Sequence, residues 1–354
     1  MDFHQYLKNE LGNILFVEIG RDITFANGKK IEKGEYPISS NDIVKVAKNG
    51  HDEIPVTFLI NGMVYVLCCD EKFKYNQNYI EKLKSIDGIE NYLILEIEKS
   101  AKDDKKRALI YASTLCILNP NKSNLYNRCV ILMNIYDETK QDFFVPEIVE
   151  SLKRITENYP GFIPANFNLG KYYTDKDLDM AKHYLSMCKH DKDYGEESVK
   201  ILKEIDAVEN YDNAVAMVKQ GHGAQALKYL ITYCNDNPDD PNAKFYTAIA
   251  LRQSGNFEDA LVYLKDLINY GRTANVLSEI ALDLASLKKF GPALKYFQEA
   301  LKIAPDNEAI ICNIAVCYLN LGMFDEAKTN FERAFSLNPD DKIAEEWLSK
   351  LKNI

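Results

Sequence analysis

Residues 308–341 read EAIICNIAVCYLNLGMFDEAKTNFERAFSLNPDD, and the chain runs through close variants of the same pattern before them. Ala327 is preceded by Ala293, Ala260 and Ala226 at steps of 34, 33 and 34 residues. Phe324, Phe290 and Phe257 keep that step, as do Phe331, Phe297, Leu264 and Leu230. Pro305 and Pro339 close two successive units. A fixed period near this length marks stacked helical hairpins, in which each unit covers its neighbour's apolar face and none is stable alone. Ala281 and Ala315 sit mid-way along the first helices, facing Ala293 and Ala327, where two helices approach closely only without bulk. Such an array offers one long surface, so its default role is to bind something.

At these residues the chain resembles the tetratricopeptide repeats. Four units are expected: 207–240, 241–273, 274–307 and 308–341. The first carries Ala214, Gly221, Ala226, Leu230 and Pro238. Asp240-Pro241 then supplies an N-cap and a first-turn proline for the next helix. Unit 241–273 carries Ala248, Leu251, Gly255, Phe257 and Ala260, but Arg272 stands where the family has proline. Residues 99–206 read as helical, degenerate repeats, with stretches near 107–118, 122–136, 143–158 and 166–189. The segment 196–209 is either an extra helix or an extension of the next. Lys342–Ile354 is amphipathic, with Ile343, Trp347 and Leu351 on one stripe, and fits the capping helix that an array needs at its end.

Residues 1–98 differ and read as a small α+β domain of unrecognised type, bounded by the charged stretch Lys99–Lys106. Ile14–Ile19 is β-rich, and Asn27-Gly28 is a turn signal after Ile23-Thr24-Phe25. Val56–Ile60 and Met63–Cys68, joined by Asn61-Gly62, give the pattern of a β-hairpin. A helix is expected from Ser40 or Asn41 to Asn49-Gly50 and another from Asn76 to Ile86, with Tyr92–Ile97 as a closing strand. The fold class is thus an α+β N-terminal domain followed by an all-α tetratricopeptide-type solenoid with a C-terminal capping helix.

Composition bounds the function. Forty-three Lys and Arg against 53 Asp and Glu leave a formal charge of −10, with no long basic stretch. Nucleic acid and anionic membrane, which need clustered cations, are disfavoured as partners. The N-terminus shows no basic region leading into an apolar core, so no secretory signal is expected. The eight cysteines show no CxxC spacing and read as reduced thiols of a cytosolic protein. The vicinal Cys68-Cys69 leaves a redox role open. His183 and His190 stand seven apart on one expected helix, about 10 Å along its axis, too far to share a metal. His222 lies in a helix–helix turn and His51-Asp52-Glu53 in a polar loop. No cofactor and no metal are expected.

The resemblance implies a concave groove lined by the first helices. Carried over residue by residue, it would hold Val208, Tyr211, Val215 and Lys219, then Asn242, Phe245, Ile249 and Arg252. Asn275, Ser278, Leu282 and Ser286 follow, then Ala309, Cys312, Val316 and Asn320. Some family members grip chaperone C-termini with a clamp of Lys, Asn and Arg on this face, a set this chain lacks. The groove suits an apolar or amphipathic protein segment, with Tyr211, Phe245 and Arg252 as preferred contacts. The expected function is a non-enzymatic cytoplasmic scaffold or adaptor. A peptide-sensing regulator and an enzyme in the N-terminal domain stay open as alternatives, and a homo-oligomer is compatible with the pattern.

Overall fold

The computed structural model describes residues 2–25, 28–49 and 54–351. Asn27, Gly50, the His51-Asp52-Glu53 loop and the last three residues of the expected cap lie outside the described residues. By its contacts the chain divides into two units, Met1–Leu202 and Lys203–Ile354.

Unit 1 begins with α1 (Phe3–Lys8), a 3-10 turn (Asn9–Asn13), β1 (Ile14–Ile19), β2 (Ile23–Thr24), β3 (Lys30–Ile31), β4 (Gly34–Ser39) and α2 (Ser40–Asn49). β1 pairs antiparallel with β4, and β2 with β3. Then α3 (Val56–Cys69) departs from the expected hairpin: Asn61-Gly62 lies inside one helix. The reason is burial. Leu59, Ile60, Met63, Val64, Val66, Leu67, Cys68 and Cys69 are all buried, and a helix covered on every side shows no 3.6-residue rhythm in its sequence. Gly62 is there for close approach, since a Cβ on it would come within 1.8 Å of the Pro37 carbonyl oxygen of β4. Asn61 turns its side-chain oxygen to the hydroxyls of Tyr92 and Tyr111, which donate at 2.7 and 2.8 Å.

α4 (Asn76–Lys84) runs close to its expected span. α5 (Ile89–Ser100) replaces the expected closing strand. Leu93, Glu96 and Ser100 are buried at helical spacing, while Ile94 and Leu95 are exposed. The charged segment before α6 (Lys105–Leu118) does not divide cores, because α5 packs on α6. One apolar cluster runs from Phe3 through Met63, Tyr111 and Phe144 to Leu169. Residues 1–98 therefore share a core with the helices after them, a correction to the boundary expected at 98/99. The strands are too short to bury a core of their own and use the helices as a lid. The unit continues with α7 (Lys122–Thr139), α8 (Phe144–Asn158), α9 (Ile163–Tyr173) and α10 (Leu178–Ser186).

The division between units falls inside α11 (Gly195–Lys219), so 196–209 extends the first repeat helix instead of forming a separate one. Unit 2 then stacks hairpins: α12 (Gly223–Asp236), α13 (Pro241–Gln253), α14 (Phe257–Leu267), α15 (Ala274–Ser286), α16 (Phe290–Ile303), α17 (Glu308–Asn320) and α18 (Phe324–Leu337). Asp240, Thr273 and Asn307 cap α13, α15 and α17 by accepting from backbone N–H groups of the first turn. Pro238, Pro305 and Pro339 each follow a C-cap residue and stop the second helix. Gly221, Gly255 and Gly322 take φ near +80° between paired helices, where Lys288 accepts +59° in the third hairpin.

The small residues behave as their positions require. Ala281, Ala293, Ala315 and Ala327 have no exposure, and Phe297 and Phe331 are as deeply buried. Leu277, Ala281 and Phe297 pack with Ile310 and Ile314 of the next hairpin, so each cluster belongs to two repeats. α19 (Lys342–Leu351) closes the last one with Ala344 and Leu351 buried and Trp347 stacked on Phe331 at 6.4 Å. Ile343, expected on that stripe, is 55% exposed.

Candidate functional site

The first helices of the four C-terminal hairpins are α11, α13, α15 and α17, and the residues assigned to their common face fall into three groups. Val208, Lys219, Asn242, Asn275 and Asn320 are exposed, as are Ser286 and Ala309. Tyr211, Val215, Phe245, Ile249, Arg252, Ser278, Leu282 and Val316 are half-buried. Cys312 is buried at 5% exposure among Ile311, Ala315, Phe331 and Ala344. That last position is a correction: α17 turns Cys312 toward the cap, where burial and the neighbouring Asp341 push its thiol up to about 12.

Three of the assigned residues come together. Asn242 and Phe245 of α13 and Asn275 of α15 line a cleft of 420 Å³ with Pro241, Tyr246 and Tyr270. Leu267, Gly271, Thr273 and Val276 complete the lining, so aromatic, aliphatic and amide groups share it. The other apolar residues are partly spent on packing. Tyr211 stacks on Tyr233 of its own hairpin at 4.2 Å, and burial pushes its hydroxyl well above the ordinary value. Val215 and Ile249 lean on the cluster of Ala214, Val218, Ala226 and Leu230. Leu282 and Val316 lean likewise on the clusters of the third and fourth hairpins. Lys219 holds its ammonium 5.7 Å from the Tyr246 ring.

Arg252 also differs from its expected role as a free contact. Its guanidinium donates to Glu279 of α15 at 2.7 and 3.1 Å and lies 3.7 Å from Asp283. It is a strut between neighbouring first helices. Asp283 is fully buried, and neither of its oxygens has a hydrogen-bond partner. Burial pushes its carboxyl up to about 7, with Arg252 opposing and Glu279 adding. The Ser278 hydroxyl, five residues earlier on α15, is buried without a partner too. The sequence carries a signal for this cluster: Glu279 and Asp283 are an i, i+4 acid pair on α15, the first helix of the hairpin after the one that carries Arg252.

Unit 1 has clefts of its own. One of 630 Å³ lies among Tyr136, Val145, Ile148, Leu152 and Tyr172. A smaller one of 210 Å³ is lined by Asp42, Lys45, Asn61, Tyr65, Arg107 and neighbours. Within the fold Asp42 pairs with Lys45 and Arg107 with Glu96, each at 2.7 Å. Cys68 and Cys69 are buried in α3. His183, His190 and His222 are exposed. Among the described residues no three His, Cys, Asp or Glu side chains come together to hold a metal, and no helix is long and apolar enough to cross a membrane.

Comparison with known proteins bears on unit 2. Tetratricopeptide repeat models match residues 211–275 and 284–351. Heat shock protein STI1 of Saccharomyces cerevisiae is 30% identical over 114 residues, covering 30% of this chain and 19% of that protein. A tetratricopeptide repeat protein 36 homolog of Drosophila pseudoobscura pseudoobscura is 31% identical over 108 residues, 29% of this chain and 57% of that one. The chain thus matches only part of each relative's length. Among solved structures, MamA (MSR-1) aligns with TM-score 0.38 and 21% identity over 42% of this chain and 86% of its own. The second TPR domain of human RPAP3, in complex with an HSP70 peptide, aligns with TM-score 0.30 and 22% identity over 32% and 98%. With its 34-residue period, hairpin geometry and two family matches, the C-terminal part of this chain belongs to the tetratricopeptide repeat family.

Proposed function

We propose that this protein is a non-enzymatic scaffold or adaptor of the cytoplasm whose repeat array holds an apolar or amphipathic protein segment along the first-helix face. The observation that carries the reading is the 420 Å³ cleft where Asn242, Phe245 and Asn275 meet Pro241, Tyr246 and Tyr270. A cleft lined by three aromatic rings and two amides gives a side chain somewhere to bury and gives the backbone beside it hydrogen bonds. Nucleic acid and membrane are not the partners of such a face. Arg252 is already shared between two carboxylates, so the cation set that would grip an acidic C-terminus is missing.

Affinity capture from native cytosol tests this, with the intact chain beside an Asn242→Ala/Phe245→Ala/Asn275→Ala variant shown to be folded by circular dichroism. A partner held by the intact chain and lost by the variant supports the cleft, and equal retention overturns it. The HSP70 peptide SGPTIEEVD, seen bound to RPAP3, is expected neither to bind nor to compete. Binding dependent on Lys219 and Arg252 would refute the absence of a clamp.

A further inference from the structure

Among the described strands, β1 pairs with one other. Ile14–Ile19 pairs with β4 from Ile14↔Ser39 to Ile19↔Gly34, and among the described elements only β4 runs alongside it. Pro37 shows which backbone groups are left over. It stands opposite Phe16 and has no N–H to give a ladder, so a proline there belongs with its nitrogen turned away from the partner strand. Its carbonyl has the same direction: it meets Gly62 of α3, where a Cβ would come within 1.8 Å of the oxygen. Phe16↔Pro37 is therefore a non-hydrogen-bonded pair. By the alternation of an antiparallel ladder, Leu15, Val17 and Ile19 bond to β4, while Ile14, Phe16 and Glu18 direct their backbone groups to the open edge. The Ile14 N–H is taken by the Leu11 carbonyl. Among the described residues, Phe16 and Glu18 keep both groups free, and Ile14 its carbonyl.

This edge has one protective charge, Glu18. It carries no lysine, no proline and no bulge. Leu15 and Phe16 are 51% and 47% exposed on opposite faces of the ribbon. Glu18 stands directly opposite Glu35, and both are exposed, an arrangement of like charges that costs stability. A strand added on the free side places a residue next to Glu18, away from Glu35, and a cation there relieves the repulsion.

The geometry points to β1 as a strand-addition site for an extended polypeptide segment of a partner, apolar at alternate positions with a lysine or arginine beside Glu18. Main-chain bonds to Phe16 and Glu18 hold the segment, and Leu15, Phe16 and Glu18 select it. A second copy of this chain is a poorer occupant. β1 contains no basic residue, so pairing two copies brings further carboxylates to the ribbon and no cation. The site lies in unit 1 and stands or falls independently of the repeat groove.

The test uses the full chain and two synthetic peptides, Val-Thr-Val-Lys-Val-Thr-Val and its counterpart with glutamate in place of lysine. Affinity is read by fluorescence anisotropy and site by residue-resolved amide hydrogen exchange. The lysine peptide is expected to slow exchange at the Phe16 and Glu18 amides and to bind about two- to fivefold more tightly than the glutamate peptide. Glu18→Lys is expected to invert that order. Phe16→Pro deletes an edge donor and no ladder bond, and is expected to abolish binding while the exchange of Leu15 and Val17 stays slow. Peptide that leaves the Phe16 and Glu18 amides unprotected, or an order unmoved by Glu18→Lys, overturns the proposal. So does protection of those amides by raising protein concentration alone, which assigns the edge to a second copy.

Discussion

Asp283→Asn is expected to flatten the pH dependence of the array's stability. In the wild-type protein the Asp283 side chain is fully buried on α15, without a hydrogen bond to either oxygen. The Arg252 guanidinium, 3.7 Å away, gives its hydrogen bonds to Glu279. Burial dominates, and the carboxyl titrates at about 7 in place of 3.8. A folded-state pKa above the unfolded one means that the fold binds this proton more tightly than the open chain does. The stabilisation is complete below the unfolded value and is lost as pH rises through 7. At about 1.4 kcal/mol for each tenfold change in proton activity, the loss between pH 5 and pH 8 comes to roughly 2–3 kcal/mol. That is a large share of a typical domain's net stability, about 5–15 kcal/mol. Asparagine keeps the shape and cannot ionise. The single tryptophan, Trp347, stacks on Phe331 at the end of the array, so its fluorescence during urea unfolding reports this unit. Wild type is expected to lose ~2–3 kcal/mol between the two pH values relative to the variant. A double difference below about 0.5 kcal/mol would show that water or Arg252 satisfies the carboxylate, and the reasoning from burial would fail.

Other substitutions test separate parts of the structure. Gly62→Ala forces a Cβ against the Pro37 carbonyl and is expected to cost about 1–3 kcal/mol, seen as a lower melting temperature by circular dichroism; an unchanged melt would refute the close crossing of α3 and β4. Phe331→Ala empties a fully buried site and is expected to cost about 3–5 kcal/mol, with Trp347 emission shifted to the red as its stacking partner goes. Arg252→Ala leaves Glu279 and Asp283 without their shared cation, for a loss of ~2 kcal/mol or more at pH 8. Combining it with Asp283→Asn is expected to restore part of that loss, and strict additivity of the two changes would show that the groups are not coupled.

The errors of sequence reading have physical causes that can be traced to particular residues. Val56–Cys69 contains β-branched residues and an Asn-Gly pair, which is also how a hairpin is written; what makes it a helix is burial on all sides by elements remote in sequence. Ile89–Ser100 repeats the lesson, because a short apolar run carries too few turns to show its period. Within the array the pattern was strong enough to place hairpins, caps and stops, since those depend on residues three or four apart. It was too coarse for side chains at the boundary between face and core. Cys312 and Ser278 hold equivalent positions, 34 residues apart on successive first helices, yet Cys312 is buried in a cluster with Ala344 and Leu351 of α19 while Ser278 is half-buried.

The sequence by itself determined the repeat: its 34-residue period, the alanines where helices touch, the prolines after the second helices and the amphipathic cap are local or periodic features that any single chain displays. The tertiary structure alone decided the rest. It turned Asn61-Gly62 from a turn into a crossing point, joined residues 1–98 to the helices that follow, and drew Arg252 to Glu279 and Asp283. Each of these depends on which surfaces meet across long stretches of chain, and meeting is settled by buried area and backbone direction, which no local spacing records.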